Sequence, residues 1–270
     1  MTAKPPSQNV QSNETADELI NDSLVYAVLD IAMRAGLATL EVYRQSALPV
    51  ADLDGTDRPI DHDLKADKSP VTQADLASHQ VISQSLARLT PSIPVVSEED
   101  EVSLKYRPSE RVFWLIDPLD GTKEFIGRQG DFTVNIALIA DGRSVWGVVF
   151  APALDLLFWG GKGLDGGCGV AVDTGLGTWL STGPGAWCTE GRARQALSGN
   201  KAVGLVKASP ISVSKPNAGE DVSKYRVVAS KSHMNQATTD FIAALGDVDL
   251  VQAGSSLKIC RIALGLADVY

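Results

Sequence analysis

The sequence predicts an α/β fold, and three patterns carry that expectation. Apolar residues recur at helical spacing in two long N-terminal stretches, the period changes to short β-rich runs after residue 90, and strand and helix patterns alternate again after residue 225. The chain has 270 residues, 44% of them apolar and 21% charged, enough for the core of one large domain or two compact lobes. Disordered, fibrous and staple-dependent classes are excluded on that composition.

Residues 1–14, rich in Pro, Ser, Asn and Gln, read as a disordered lead-in. A long helix is expected from Ala16 to Arg44, where Leu19, Leu24, Val28, Ile31, Ala35 and Leu40 share a face. The polar stretch Asp52–Lys68 reads as a loop. A second helix is expected over Val71–Leu89, with Leu76, Ile82, Leu86 and Leu89 towards the core, Thr72 as cap and Asp75 in the first turn. Strands follow at Ile93–Val96, Arg111–Ile116, Asp131–Ala140, Ser144–Phe150 and Leu156–Trp159, the third and fourth joined by the turn Asp141-Gly142. The stretch Gly175–Lys224 has no sustained period and reads as an elaborated loop or a set of short strands. Tyr225–Ala229 and Val248–Val251 read as strands, Gln236–Leu245 and Ser256–Leu266 as helices. There is no internal repeat.

Charge and cysteine usage narrow the function. With 24 basic and 33 acidic residues the net charge is −9, and no basic cluster supplies the footprint of a nucleic-acid binder. An anionic substrate would then need positive charge from a divalent metal. The three cysteines, Cys168, Cys188 and Cys260, form neither a disulfide framework nor a zinc pattern, which fits a reducing cytosol. No segment is expected to reach the roughly 18 apolar residues needed to span a bilayer, and the N-terminus lacks a signal-peptide pattern.

The most informative run is WLIDPLDGTKEF, 114–125. An apolar strand delivers Asp117, and Pro118, which cannot extend a central ladder, ends it there. Gly121 permits a tight turn and Thr122 suits a helix N-cap, leaving backbone N–H groups for a phosphate. Two carboxylates beside such a turn repel the anion unless metal intervenes, and Mg²⁺ takes one or two carboxylates plus phosphate oxygens and water. Taken alone, the run could be an ordinary turn. Its companions are Ser97-Glu98-Glu99-Asp100, at another strand end, and Asp67-Lys68-Ser69-Pro70-Val71-Thr72-Gln73-Ala74-Asp75.

In this order and spacing, DKSPVTQAD, SEED and WLIDPLDGTKEFI resemble the inositol monophosphatase superfamily of Mg²⁺-dependent phosphatases. KEFI, GDFTVNIALI (130–139), VVASKSHMN (227–235) and GSSLKICRIALGLADVY (254–270) resemble its 3'(2'),5'-bisphosphate nucleotidase branch. The resemblance implies a sugar-phosphatase fold, alternating layers of helix and sheet in two lobes: a metal-binding α+β lobe over 15–160 and an α/β substrate lobe over 161–270, incomplete at its end. It implies two or three Mg²⁺ ions, with Glu98, Asp117, the Leu119 carbonyl and Asp120 as ligands. Glu98 and Thr122 would orient and activate a water, Asp75 accepting from Thr122. Gly121 and Thr122 would hold the phosphoryl group, and Lys68 would stand near a third metal or a phosphate.

Ser255 and Lys258, three apart at a predicted helix start, share a face that could receive a second phosphate; the alternative is an exposed lysine on an amphipathic helix. His233 would lie near a base or ribose, or be an ordinary loop histidine. His62 and His79 read as structural or exposed. The family pattern also carries an acidic residue beyond the ADVY strand, in a Trp-Asp or similar pair. None of the five tryptophans is followed by an acid, so the expectation is a fragment or a version short of part of the second metal site. The implied activity is hydrolysis of the 3'-phosphate of adenosine 3',5'-bisphosphate, in a cytoplasmic enzyme, free or peripheral at the inner membrane. Inositol monophosphatase and a catalytically weak nucleotide-binding protein are the rivals.

Overall fold

The computed structural model describes residues 20–45, 62–64, 70–105, 110–161, 186–190, 208–211 and 224–270. The expected lead-in, the helix start at 16–19, Lys68 and most of the 175–224 stretch lie outside the described residues. Helix α1 spans Asp22–Gln45, and the Asn21 side chain accepts from the Leu24 N–H at 3.0 Å to cap it. Val28, Ile31, Ala35 and Leu40 are buried along it, as their spacing requires. By length and composition α1 is also apolar enough to cross a bilayer, which corrects the expectation that no segment is, because the small and apolar residues of its buried face outweigh its few charges. Its apolar face is occupied here by a sheet.

Strands β1 (His62–Leu64) and β2 (Pro70–Thr72) pair antiparallel, so the expected loop over 52–68 contains a strand. Helix α2 (Gln73–Leu89) starts two residues later than expected because Thr72 caps it in extended conformation. Its buried face is Ala74, Asp75, Ser78, Ile82, Ser85 and Leu86, whereas Leu76 and Leu89 are exposed. Small and polar residues, not the leucines, meet the sheet there, because α2 lies close over the strand that carries Asp117.

Seven strands form one sheet in the order β3 (Val95–Ser97), β4 (Val112–Asp120), β5 (Thr133–Ala140), β6 (Arg143–Ala151), β7 (Leu156–Gly161), β8 (Ala186–Glu190), β9 (Ala208–Ile211). The first pair is parallel and the others antiparallel. Asp141 (φ 49°) and Gly142 (φ 75°) make the two-residue turn between β5 and β6, both in the left-handed region such a hairpin demands. Alternation along the strands splits the core into layers. Ile136, Leu138, Val148, Phe150, Leu157 and Trp159 pack under α1 and α2, while Ala151 and Phe158 face the other way, onto Leu257 and Cys260. Helices therefore cover both faces. The sheet continues past the lobe boundary expected at residue 160 and runs through Ile211 before the chain enters a second sheet.

That second sheet pairs β10 (Tyr225–Ser230) in parallel with β11 (Val248–Ala253), joined through helix α4 (Gln236–Ala244). Asn235 caps α4 by accepting from the Thr238 N–H at 2.9 Å. Val269 adds a parallel bridge to Val227. The last helix, α5, spans Leu257–Ala263 and is shorter than expected, since Gly265 turns left-handed at φ 68°.

Gly36 lets α1 approach β6: a Cβ there would stand 2.4 Å from Phe150 Cδ1 and 3.1 Å from Pro152 Cβ. Helix propensity alone would make Gly36→Ala stabilising by about 1 kcal/mol. Overpacking costs about 1–3 kcal/mol, so the variant should be net destabilised. Thermal unfolding checks this, and a raised Tm would show that Phe150 yields.

Candidate active site

The carboxylates are delivered by strand ends and one helix start. β4 runs on through Pro118 rather than ending there, because the chain bulges. Asp117 pairs with Asn135 and Asp120 with Thr133, so Pro118 and Leu119 together oppose only Val134. A bulge leaves residues out of the ladder, which suits a residue with no N–H to give. Ser78 of α2 donates to the Pro118 carbonyl at 2.7 Å and fixes it from behind. Short helix α3 (Thr122–Ile126) then begins. Its N-cap is Gly121 at φ 90°, not Thr122, which is the first helical residue. A side chain at 121 would meet Asp131 O at 2.9 Å and Ser255 Cβ at 3.1 Å, so glycine is required by both conformation and space.

The hydroxyl of Thr122 is thereby free of capping duty. It reaches the Leu119 carbonyl at 3.3 Å and Asp75 Oδ1 at 3.5 Å. Asp75 is fully buried, and its other oxygen, Oδ2, accepts from both the N–H and the hydroxyl of Thr72 at 2.7 Å each, completing a capping box. Folding thus saturates one carboxylate oxygen and aims the other at Thr122.

Burial pushes the Asp117 carboxyl well above the usual carboxylate range, helped by the negative charges of Asp120, Glu98 and Asp75, while the Leu119 N–H pulls it part of the way back. Asp117 Oδ1 is buried without a hydrogen-bond partner. Gathered carboxylates with an orphaned buried oxygen are what a divalent cation would relieve. Among the described residues no three His, Cys, Asp or Glu side chains are grouped so as to hold a metal ion by themselves. Mg²⁺ needs no such group, since one or two carboxylates suffice with water and phosphate oxygens, so the hard oxygen donors here fit it.

Glu98, Asp120, Gly121, Thr122, His233, Ser255 and Lys258 line a cleft of about 430 Å³; Asp75 and Leu119 meet it through the Thr122 hydroxyl, and Asp117 through its charge interaction with Asp120 and Glu98. Of the candidate site residues named from the sequence, Lys68 alone is outside the described structure. Ser255 and Lys258 do meet, though not as two residues of one helix face. Ser255 is left-handed (φ 48°) and precedes the helix, and Lys258 Nζ donates to its main-chain carbonyl at 2.6 Å. The Ser255 hydroxyl is buried with no partner. His79 is structural as expected, its Nδ1 being 2.8 Å from Ser97 Oγ.

Some of the cleft was not anticipated. Ser256 Oγ donates to Asp120 Oδ2 at 2.8 Å and so ties the start of α5 to the acidic end. Glu124 and Tyr270 also line the cleft, and Lys258 Nζ sits 5.9 Å from the Tyr270 ring centroid. The runs KEFI, GSSLK and ADVY mark these segments but do not show which of their side chains face inward.

The inositol monophosphatase family pattern matches residues 22–270. The 3'(2'),5'-bisphosphate nucleotidase CysQ of Salmonella typhimurium is 37% identical over 245 residues, covering 90% of this chain and 78% of that protein. The CysQ of Escherichia coli K12 is 36% identical over 243 residues, with the same coverage. The crystal structure of CysQ from Bacteroides thetaiotaomicron superposes with a TM-score of 0.65 at 32% identity, over 93% of this chain and 79% of that one. The Thermotoga maritima inositol monophosphatase (TM-score 0.61, 18% identity, 93% and 77% covered) shares the fold. A match spanning every described element, from α1 to Tyr270, makes this chain a member of the inositol monophosphatase family.

Proposed function

We propose that this chain is a Mg²⁺-dependent phosphomonoesterase that converts adenosine 3',5'-bisphosphate to AMP and phosphate. One observation carries the reading: a single cleft joins the carboxylate cluster and the Gly121–Thr122 turn to Ser255, Lys258 and His233. The family is one of metal-dependent phosphatases, and relatives at 36–37% identity bear the nucleotidase name.

Glu98, Asp117, the Leu119 carbonyl and Asp120 would hold two or three ions. Bound Mg²⁺ supplies neutralisation of the phosphoryl oxygens and a lowered pKa for water. The chain's own groups do the aiming. Thr122 has one proton, directed to Leu119 O or Asp75 Oδ1, so its lone pairs are left to accept from a water in the cleft. Glu98 lines the same wall and serves as the base for that water. The water oxygen attacks phosphorus in line, the P–O3' bond breaks, and the ribose oxygen takes a proton. Gly121 and Thr122 bind the phosphoryl group through backbone N–H donors. The 5'-phosphate lies against Lys258 and Ser255, and the nucleoside lies beside His233. Lys68 near a further ion or phosphate, a lobe division of metal-binding and substrate halves, and a cytoplasmic location complete the proposal.

Phosphate release from adenosine 3',5'-bisphosphate and from inositol 1-phosphate, measured in parallel with saturating Mg²⁺, tests it. At least a tenfold preference in kcat/KM for the nucleotide is expected, about 1.4 kcal/mol. The reverse preference would select the inositol reading, and binding without turnover would select the non-catalytic one. Lys258→Ala should raise KM for the bisphosphate far more than for 2'-AMP, because it removes a contact made equally in ground and transition states. An equal effect on both substrates would leave the lysine without its role.

A further inference from the structure

Glu124 is a buried carboxylate, 5% exposed, that the phosphate chemistry above does not use. Its Oε1 accepts from Ser232 Oγ at 2.5 Å, a contact between residues 108 apart in sequence. Its Cγ fills the space where a Cβ on Gly254 would stand, 2.6 Å away, and its Oε2 is 3.4 Å from where a Cβ on Gly121 would be. One side chain thus touches the phosphate turn, the approach to α5, and the loop from Ser230 to Asn235 that carries His233.

The same loop is pinned once more. Lys231 is ion-paired with Asp131, and the Asp131 carboxylate also accepts from the Gly254 N–H at 3.2 Å. The His233 N–H closes a local turn onto Ser230 Oγ at 3.1 Å. Two consecutive loop residues therefore reach across to acids on the carboxylate side of the cleft, which leaves His233 on the wall. A buried carboxylate is costly unless hydrogen-bonded, so the Ser232 hydroxyl is a needed partner.

We propose that Glu124 is a positioning residue for substrate selectivity: by holding Ser232 it fixes the His233 loop as the wall against which the nucleoside lies, without acting on phosphorus. This rests on the nucleoside bisphosphate reading above. Glu124 does its work through His233 and the loop, so its loss should weaken nucleotide binding and leave the chemical step alone.

The test is steady-state kinetics of the full chain on adenosine 3',5'-bisphosphate at saturating Mg²⁺, with thermal unfolding alongside. Glu124→Ala and Ser232→Ala should each raise KM about tenfold, the size of one hydrogen bond to a charged group, with kcat within about twofold. Glu124→Gln, which keeps an acceptor at Oε1, should recover most of the loss. The double variant E124A/S232A should raise KM no more than E124A alone, since both break one contact. Ser232→Ala leaves no buried cavity and serves if Glu124→Ala fails to fold. A fall in kcat at constant KM, a Gln variant as impaired as Ala, or additive effects in the double variant would overturn the proposal. Wild-type protein that releases no phosphate from the bisphosphate would instead remove the functional reading itself.

Discussion

Asp117→Asn should abolish turnover and raise the Tm of the protein held in chelator. The carboxylate is buried against Asp120, Glu98 and Asp75, so folding works against its charge, and an amide of the same shape escapes that cost. Each kcal/mol relieved moves Tm by about 2–4 °C in a protein of this size. The loss of activity should exceed the roughly 10–100-fold that follows removal of a mere supporting partner of a metal ligand, because Asp117 itself is proposed to hold the ions. Assays across a Mg²⁺ series and melting curves in EDTA check both halves. Substantial activity at high Mg²⁺ would remove Asp117 from the ligand set, and a lowered Tm would show that the neighbouring carboxylates do not strain it.

Gly121→Ala should cost about a hundredfold in kcat/KM with only a modest loss of stability. The left-handed conformation at φ 90° disfavours an L side chain by about 1–2 kcal/mol, and the added methyl would meet Asp131 O at 2.9 Å. Neither backbone oxygen nor Ser255 Cβ can swing aside as a flexible side-chain tip would, so the turn itself must shift. A displacement near 1 Å of groups that position the reacting phosphoryl is worth about 10² in rate. Kinetics paired with thermal unfolding separate the two effects. Unaltered kcat/KM would mean that the turn does not hold the phosphoryl group.

How legible the molecule is from its sequence depends on where each decision is made. The β5–β6 hairpin is written in Asp141-Gly142, and the start of α2 in Thr72 and Asp75, because those choices are settled within four residues. The continuation of β4 past Pro118 is settled by Thr133–Asn135 on the neighbouring strand, which no local pattern displays. β8 and β9 lie in a stretch with no sustained period and exist as strands by pairing, β8 onto β7 and β9 onto β8. In the site, the acidic residues are legible because their spacing resembles a family pattern. Ser256, the partner of Asp120, and the Glu124–Ser232 pair are not, since each contact forms only after more than a hundred intervening residues fold back. Ser255 was legible as a residue but misplaced in geometry, the left-handed backbone at φ 48° taking it off the helix.

Asp75 does two jobs with one carboxylate, capping α2 through one oxygen and facing Thr122 with the other. Under the proposed mechanism, natural selection on folding and on turnover falls on the same atoms. A descendant that had lost all activity would still be held to an acid at 75 by the need to begin α2, whereas the acid at 117, which folding resists, would drift away once nothing required it. On that mechanism, an aspartate matching position 75 in a distant relative is accounted for by folding alone, and one matching position 117 by turnover alone.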